Sequence, residues 1–525
     1  MKNVLIIGKF DTVHKGHQEL IKFAKSVTKS EDINLIAIQL LKKDPIIPEE
    51  CTENKLLNFG VNEIHQYSLE KHLSSIKKYK DLTYKEFIDL LNSKYQIDTI
   101  VLGPDQKIGK NQEGDYHNIN QYASSINIQT YQLNTKLECS STQIKNNLND
   151  DIFSAYKLSG SLHCIKGIVT HGHQRGRKLG FPTANILATT QTTKGFVPAE
   201  GVYAGIVTLK ENESYLSMIS IGNNPTFEDV PNMLIEANLL DVDDINLYDQ
   251  EIKISFISKI ADSKKFNSVD ELTEKIKHYQ TITPEYYQKY LNYVMQENAK
   301  SDLILIKTDT VWGISTPINN AISGDDQESF QNSINATCRI QNNISKIFDI
   351  KKRSQDKPLP ILINDYSELE SLGVVPKTIQ QILNYQENNN PEISKTYIIR
   401  LDSDPKIPIF TAPNSQPLKT GDTVAVRKPN DHILNSLLKI SGPLLTTSLN
   451  ESGQNPVLTA NDAIIFKNEH NLEANIMYEY LDLTELNQPQ KPQQQNQNQN
   501  NQQNQPTNKP SPLIDLTNAD NLILR

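Results

Sequence analysis

The sequence predicts a multidomain chain that opens with a doubly wound α/β domain, passes into an antiparallel all-β segment, and changes texture again near residue 301. Three observations point to it. At 525 residues the chain has room for about three to four domains, each with its own core. Short apolar runs (VLIIG, INLIAIQLL, TIVLG, INIQTYQL) alternate with helical periodicity in the first part, the pattern of parallel strands joined by crossover helices. From about residue 150 the runs alternate apolar and polar residues instead (IKGIVTH, VYAGIVTL, YLSMISIG, EIKISFISKI), which suits antiparallel strands with one face on a core.

Composition narrows the function classes. With 37% hydrophobic residues and a mean hydropathy of -0.51, the chain reads as soluble, and no apolar run approaches the roughly 20 residues needed to span a bilayer. The start, MKNVLIIGKFD, is too short an apolar stretch for a secretion signal and reads as a first buried strand, so a cytoplasmic location is expected. Cys51, Cys139, Cys164 and Cys338 stand far apart with no C-x-x-C, which suggests free thiols rather than a zinc site or a disulfide framework. A net charge of -9 offers no global attraction to nucleic acid, so any RNA contact has to be local.

In the first segment Val4 to Gly8 forms a strand, and His14 and His17 flank Gly16 where the helical pattern HQELIKFAKSV begins. Imidazoles at a helix amino terminus, beside a glycine that permits close approach, can hold the phosphates of a nucleotide; a solvated turn is the alternative reading of H-x-G-H. Ser140 or Ser141 also fits an N-cap on local grounds. The segment resembles nucleotidyltransferases of the H-x-G-H type, specifically the FAD synthetase half of bifunctional riboflavin kinase/FAD synthetases, at Gly8, Phe10, Asp11, His14, Gly16 and His17. TIVLGPDQKIGKNQEGD (Thr99 to Asp115) resembles that family's flavin-side loop, and CSSTQIKNNL (Cys139 to Leu148) its S-S-T-x-I-R helix start. The resemblance implies a domain over 1–149, with catalysis by His14, His17 and Lys145, ATP contacts from Ser140, Ser141 and Thr142, and flavin contacts from Asp105 and Gly109. Three departures stand out: Lys145 occupies the place of an Arg, Lys107-Ile108 that of Arg-Phe, and QLLKKDPIIP that of an aromatic-Pro-His-Pro stretch.

The second segment begins with RGRKLGFPTANI, Arg175 to Ile186. Gly176 and Gly180 let backbone approach an anion, Arg175 and Arg177 carry charge for phosphate, and Thr183 with Asn185 offers hard oxygens to Mg2+, a combination suited to phosphoryl transfer from ATP. A basic turn before a strand is the plainer reading. The stretch resembles the ATP-binding signature of riboflavin kinases, and GVYAG (Gly201 to Gly205), GNNPTF (Gly222 to Phe227), IEANLLD (Ile235 to Asp241) and NLY (Asn246 to Tyr248) follow in the family's order. The resemblance implies a small antiparallel barrel over 150–298, closed by two helical patterns, VDELTEKIKHY and PEYYQKYLNYVM. It also implies ATP contacts at Gly172, Arg177, Gly180 and Pro182, Mg2+ on Thr183 and Asn185, and Glu236 as general base for the riboflavin hydroxyl.

In the third segment Lys351, Lys352, Arg353 and Lys357 form a basic cluster beside PLPILI, either a solvated face or a rim able to neutralise a triphosphate. Thr308 and Thr310, with Asp309, could hold the polar end of an amino acid. LILIKTDTVWGIS (Leu303 to Ser315), IKKRSQDKPLPILI (Ile350 to Ile363), TVAVRKPNDHILNSLL (Thr423 to Leu438) and PLLTTSLNESG (Pro443 to Gly453) resemble, in order, the blocks of the Sua5/YrdC family. That family makes threonylcarbamoyl-adenylate from threonine, bicarbonate and ATP. The resemblance implies an α/β domain over 301–525, with Lys351, Arg353, Lys357, Arg427, Ser448 and Asn450 around nucleotide and carbamate and Thr308 and Thr310 on threonine. Lys307, Trp312 and Leu449 depart from the usual Pro, Tyr and Ala. The Gln/Asn-rich stretch 487–512 is expected to be a disordered insert, after which SPLIDLTNADNLILR returns as strand-turn-strand and carries Ser511 and Arg525 toward the site.

Together the resemblances imply phosphorylation of riboflavin to FMN, adenylylation of FMN to FAD, and threonylcarbamoyl-AMP synthesis for tRNA adenosine-37 modification. ATP and Mg2+ would serve all three, with tRNA or tRNA-modification proteins as partners and no membrane. Two rival readings remain: a carboxyl-terminal domain that only binds RNA, and an amino-terminal domain that adenylylates another acceptor.

Overall fold

The computed structural model describes the chain outside residues 28–32, 42–43, 69, 72–77, 171–182, 190–191, 210–213, 224–232, 241, 243–245, 267, 309, 319–326, 356, 390–393, 407, 471, 473, 477–512, 518–521 and 524–525. It divides into two compact units, Met1–Gln288 and Lys289–Arg525. Its strands form three sheets.

The first sheet contains β1 (Lys2–Gly8), β2 (Ile33–Leu41), β3 (Glu63–Ser68), β4 (Thr99–Leu102) and β5 (Gln129–Gln132), all parallel, in the order β3-β2-β1-β4-β5. The helices α1 (Lys15–Val27), α2 (Glu49–Asn58), α3 (Tyr84–Tyr95) and α4 (Tyr116–Ser125) connect them. Strand β1 is apolar without a break because both of its faces are covered. Val4 and Ile6 pack with Leu20, Ile21 and Ala24 of α1, whereas Leu5 and Ile7 pack with Phe87, Ile88 and Leu91 of α3. Strand order reverses between β1 and β4, and the crevice outside the carboxyl ends of strands at such a switch point is where α/β sheets bind ligands.

Next come α5 (Ser141–Asp150), capped by Ser140, and α6 (Ile152–Ser159). The second sheet follows with β6 (His163–Ile168), β7 (Ala184–Leu187), β8 (Thr193–Lys194), β9 (Gly201–Thr208), β10 (Ser214–Asn223), β11 (Met233–Leu239) and β12 (Glu251–Ala261). These seven antiparallel strands run β7-β11-β10-β9-β12-β6-β8. A bridge between Thr170 and Asn185 brings edge strand β7 against the chain leaving β6, so the sheet nearly closes into the expected barrel. Ile165, Ile186, Tyr203, Ile219, Ile235 and Ile254 fill it. Gly205 is required there, since a Cβ would stand 2.2 Å from Ile219 Cδ1 and 2.6 Å from the Ser255 carbonyl.

The two helical patterns expected to close the barrel are one helix, α7 (Val269–Ala299), with Pro284 inside it. Proline removes a single backbone hydrogen bond, which bends a helix without ending it when both flanks are helix-periodic.

The second unit holds β13 (Ile304–Lys307), β14 (Trp312–Pro317), the long helix α8 (Gln327–Lys351), β15 (Ile361–Leu362), β16 (Thr396–Arg400), β17 (Thr423–Arg427), β18 (Leu444–Ser448), β19 (Asn475–Ile476), β20 (Leu513–Asp515) and β21 (Leu522–Ile523). They form a mixed sheet ordered β19-β13-β14-β18-β15-β17-β16-β20-β21. The last segment rejoins this sheet, β20 lying parallel to β16 and turning back as β21. Residues 487–512, expected as an insert, lie outside the described residues, as do Ser511 and Arg525. Among the described residues no helix is long and apolar enough to cross a membrane.

Candidate active sites

At the switch point of the parallel sheet, the turn from β1 to α1 is strained. Phe10 (φ 48°) and Val13 (φ 46°) both hold left-handed backbone, a conformation costing non-glycine residues about 1–3 kcal/mol each. Full burial of both side chains offsets that strain. It seats His14 and His17 ring against ring, centroids 3.8 Å apart, with Phe10 tilted onto His17 at 5.0 Å. Burial pulls the His14 imidazole down to about 4 and pushes His17 well below its ordinary value, with His14 as the second cause. Both rings are therefore neutral near pH 7. Their Nδ1 atoms and the Thr12 hydroxyl are buried with no partner among the described residues. Orphaned buried polar atoms at a helix amino terminus are what a phosphate would satisfy.

Asp11 lies buried in the same turn, and the Cys139 carbonyl stands 3.8 Å from where a Gly16 Cβ would be, which puts Ser140 and the start of α5 beside the histidines. The Ser140 hydroxyl caps α5, accepting from Gln143 N at 3.2 Å, while Ser141 is half-buried and Thr142 exposed. One turn on, the Lys145 ammonium sits 4.8 Å from the centroid of the Phe196 ring. The loop after β4 carries Asp105, ion-paired to Lys136 at 2.5 Å, and Gly109, which turns at φ 82° against the start of α3. Gln106 ties this loop to β1, its Nε2 donating to the Ile7 carbonyl at 2.7 Å and its Oε1 accepting from Gly103 N at 2.9 Å. No sequence signal singled Gln106 out, because a neutral amide in a polar loop looks like any other.

The buried histidines have a consequence for stability. A base whose folded pKa is depressed leaves stability intact above its unfolded value, 6.5, and drains it as pH falls toward the folded value of about 4. For His14 this amounts to about 3 kcal/mol at the acid end, and His163 of β6, also drawn down to about 4 by burial, adds in the same direction. The thermal midpoint of the amino-terminal unit is therefore expected to fall as pH goes from 6.5 to 4. A flat calorimetric profile over that window would count against neutral buried imidazoles.

In the barrel, register decides the second site. Glu236 of β11 lies directly opposite Asn185 of β7, which places their side chains on one face at about 4.5–5.5 Å between Cβ atoms. Neighbours Ala184, Ile186, Ile235 and Ala237 point the other way, into the core. Asn185 Nδ2 reaches the Thr183 carbonyl at 3.2 Å and the Thr183 hydroxyl at 3.5 Å. The structure thus gathers Thr183, Asn185 and Glu236. Two neutral oxygens beside a carboxylate fit a hard cation that shares its coordination with phosphate. Among the described residues no group of three or more His, Cys, Asp and Glu could hold a metal. Gly172, Arg175, Gly176, Arg177, Gly180 and Pro182 lie outside the described residues.

The third site is built around a buried cation. Lys351 ends α8 at 3% exposure, and its Nζ donates to the Ser448 carbonyl (2.5 Å), the Asn450 carbonyl (2.7 Å) and Asn450 Oδ1 (2.8 Å). The Ser448 hydroxyl donates to Asn450 Oδ1 at 2.6 Å. Burial, then the nearby Arg353 guanidinium, draws the ammonium down to about 7. Arg353 folds its own turn, Nε donating to the Lys357 carbonyl at 2.7 Å, and the Lys357 side chain is exposed. A second chain of polar groups stands at the same end of β14. Arg427 donates through Nη1 to Thr310 Oγ1 at 3.3 Å and through Nε to Ser394 Oγ at 3.0 Å, and the Thr308 and Thr310 hydroxyls lie 3.0 Å apart. Ser394 escaped sequence reading, since its role exists only across the sheet from Arg427. Trp312 and Leu449 are core residues, each at most 1% exposed.

Comparison with known proteins matches these three regions in order. A family model described as FAD synthetase covers residues 1–147, and one described as Riboflavin kinase covers 159–286. The Bacillus subtilis bifunctional riboflavin kinase/FMN adenylyltransferase is 32% identical over 294 residues, 52% of this chain and 89% of that protein. The chain belongs to the bifunctional riboflavin kinase/FMN adenylyltransferase family. Other relatives include the Escherichia coli K12 protein of the same description (28% identical, 54% of this chain, 92% of that one). A Mycoplasmoides gallisepticum "Trifunctional protein RibF/MnmA" is 31% identical over 54% of this chain and 40% of its own length. Beyond the part shared with this family, residues 333–482 match the Sua5_yciO_yrdC model, described as Telomere recombination, so the chain adds a Sua5/YrdC domain to the family's two. A solved P. abyssi Sua5 complexed with L-threonine is similar at 19% identity and a TM-score of 0.27, covering 45% of this chain and 53% of that one. Riboflavin, FMN and ATP are the substrates of the family's two reactions.

Proposed function

We propose that the chain is a cytoplasmic trifunctional enzyme, its domains spanning 1–149, 150–298 and 301–525. It makes FMN in the barrel, FAD at the parallel sheet and threonylcarbamoyl-AMP in the third domain. The observation that carries the reading is the stacked pair of imidazoles on a strained turn at the switch point, whose Nδ1 atoms have no partner among the described residues, an arrangement that a bound phosphate would complete. There His14, His17 and Lys145 hold charge that builds on the α-phosphoryl oxygens of ATP as the FMN phosphate attacks and pyrophosphate leaves. Gly8, Phe10, Asp11 and Gly16 shape the turn, Ser140, Ser141 and Thr142 flank it, and Asp105 and Gly109 line the flavin side. No covalent intermediate is needed, so positioning and electrostatics carry the rate.

In the barrel Glu236 takes the proton from the riboflavin hydroxyl as that oxygen attacks the γ-phosphorus. Thr183 and Asn185 are the residues that would hold Mg2+, which when bound neutralises charge on the phosphoryl oxygens. Gly172, Arg177, Gly180 and Pro182 line the ATP phosphates on this reading. In the third domain Lys351, Arg353, Lys357, Arg427, Ser448 and Asn450 bind nucleotide and carbamate, and Thr308 with Thr310 orients threonine; tRNA or tRNA-modification proteins receive the product. Lys351 spends its three N–H donors on Ser448 and Asn450, which orders the strand end where the site would be built, a feature that supports this reading over an RNA-binding surface.

Purified protein given threonine, bicarbonate, ATP and Mg2+ should release pyrophosphate only when threonine is present. Lys351→Met should cut that release by about 10²-fold or more while flavin synthesis continues. Salt-sensitive RNA affinity without threonine-dependent turnover would select the RNA-binding alternative instead.

A further inference from the structure

Cys51 and Cys164 are 113 residues apart in sequence, yet the Cys164 thiol donates to Cys51 Sγ at 3.3 Å. Cys51 sits half-buried on α2 of the parallel-sheet part, and Cys164 is buried on β6 of the barrel, within the same compact unit. Nothing in the proposed reactions uses either residue. We infer that Cys51 and Cys164 form a peroxide-reactive dithiol that closes to a disulfide joining α2 to β6.

Lysines surround the sulfur pair. Lys55 lies one helical turn from Cys51 on the same face of α2, its Nζ bonded to the Ser161 hydroxyl. Lys166 lies two residues from Cys164 on the same face of β6, paired with Glu50 and, at 3.7 Å, with Glu251. Lys253 of β12 stands directly opposite Lys166. The Cys164 hydrogen bond, followed by these three lysines, lowers the Cys51 thiol to about 6 against the opposing effect of burial, whereas Cys164 is pushed up, first by Cys51 and then by burial. The shared proton is thus drawn toward Cys164 and the negative charge toward Cys51, which suits Cys51 to attack and Cys164 to resolve.

The chemistry balances. The Cys51 thiolate attacks the terminal oxygen of a hydroperoxide, the O–O bond breaks, and Cys51 becomes a sulfenic acid as hydroxide (or alkoxide) leaves and takes from solvent the proton that Cys51 gave up on ionising. Cys164 then attacks the sulfenic sulfur, the S–S bond forms, and its thiol proton leaves with the hydroxyl as a second water. Two thiols are oxidised by two electrons and the peroxide is reduced. Sulfurs already in contact need only close to the usual bond length of about 2.05 Å.

The test uses the full-length protein with one equivalent of hydrogen peroxide, followed by alkylation and peptide mass mapping. A Cys51–Cys164 linked peptide, with 2 Da lost from the intact chain and regained with phosphine, is expected. It should persist in Cys139→Ser and Cys338→Ser chains and vanish in Cys51→Ser. Without any variant, Cys51 should alkylate at pH 7 at least tenfold faster than Cys338. Peroxide that produces only sulfinic acid at Cys51, or a linkage involving Cys139 or Cys338 instead, overturns the inference.

Discussion

A chain carrying His17→Ala should convert riboflavin to FMN at the parental rate and stall there, with FAD formation lowered about 10²–10³-fold. The two activities sit on different sheets, so one variant isolates one reaction. His17 is half-buried, packed ring against ring on His14 and under Phe10, so truncation loosens the turn; His17→Asn, which keeps a polar side chain of similar reach, separates loss of chemistry from loss of the turn. Chromatography of riboflavin, FMN and FAD over time is the readout. Equal loss of both products would mean that the domain had unfolded, and unchanged FAD formation in a folded variant would remove the histidines from the mechanism.

The complementary result is expected from Glu236→Gln. Gln preserves shape and hydrogen bonding beside Asn185 but accepts no proton, so FMN formation should fall about 10²–10⁴-fold while FMN supplied from outside is still converted to FAD. A rate that recovers with rising pH, as the substrate hydroxyl gives up its proton to solvent base, would fit removal of a general base. Full kinase activity in Glu236→Gln would leave the carboxylate as a solvated neighbour of the true base.

Much of this was legible beforehand because the signals are local. An unbroken apolar β1 reads as a strand covered on both faces, and alternation in IEANL or EIKISFISKI reads as a strand covered on one. The H-x-G-H turn was visible as a motif, and so was the basic cluster from Lys351 to Lys357. Its internal division was not. Lys351 turns inward to Ser448 and Asn450, whereas Lys352 pairs with Glu451 at the surface, and only the end of α8 against β18 separates them. Pro284 likewise looked like a boundary between helices, and α7 runs through it.

The sequence by itself determined the order of three regions through their motifs, and the strand type of the first two, since periodicity and turn chemistry act over a few residues. Tertiary structure alone decided which distant groups meet: the rings of His14 and His17 with Phe10, Asn185 opposite Glu236, Arg427 on Thr310 and Ser394, and above all the two cysteines. Cys51 and Cys164 looked like isolated thiols because separation along a chain says nothing about separation in space. Packing of α2 on the barrel brings them into contact.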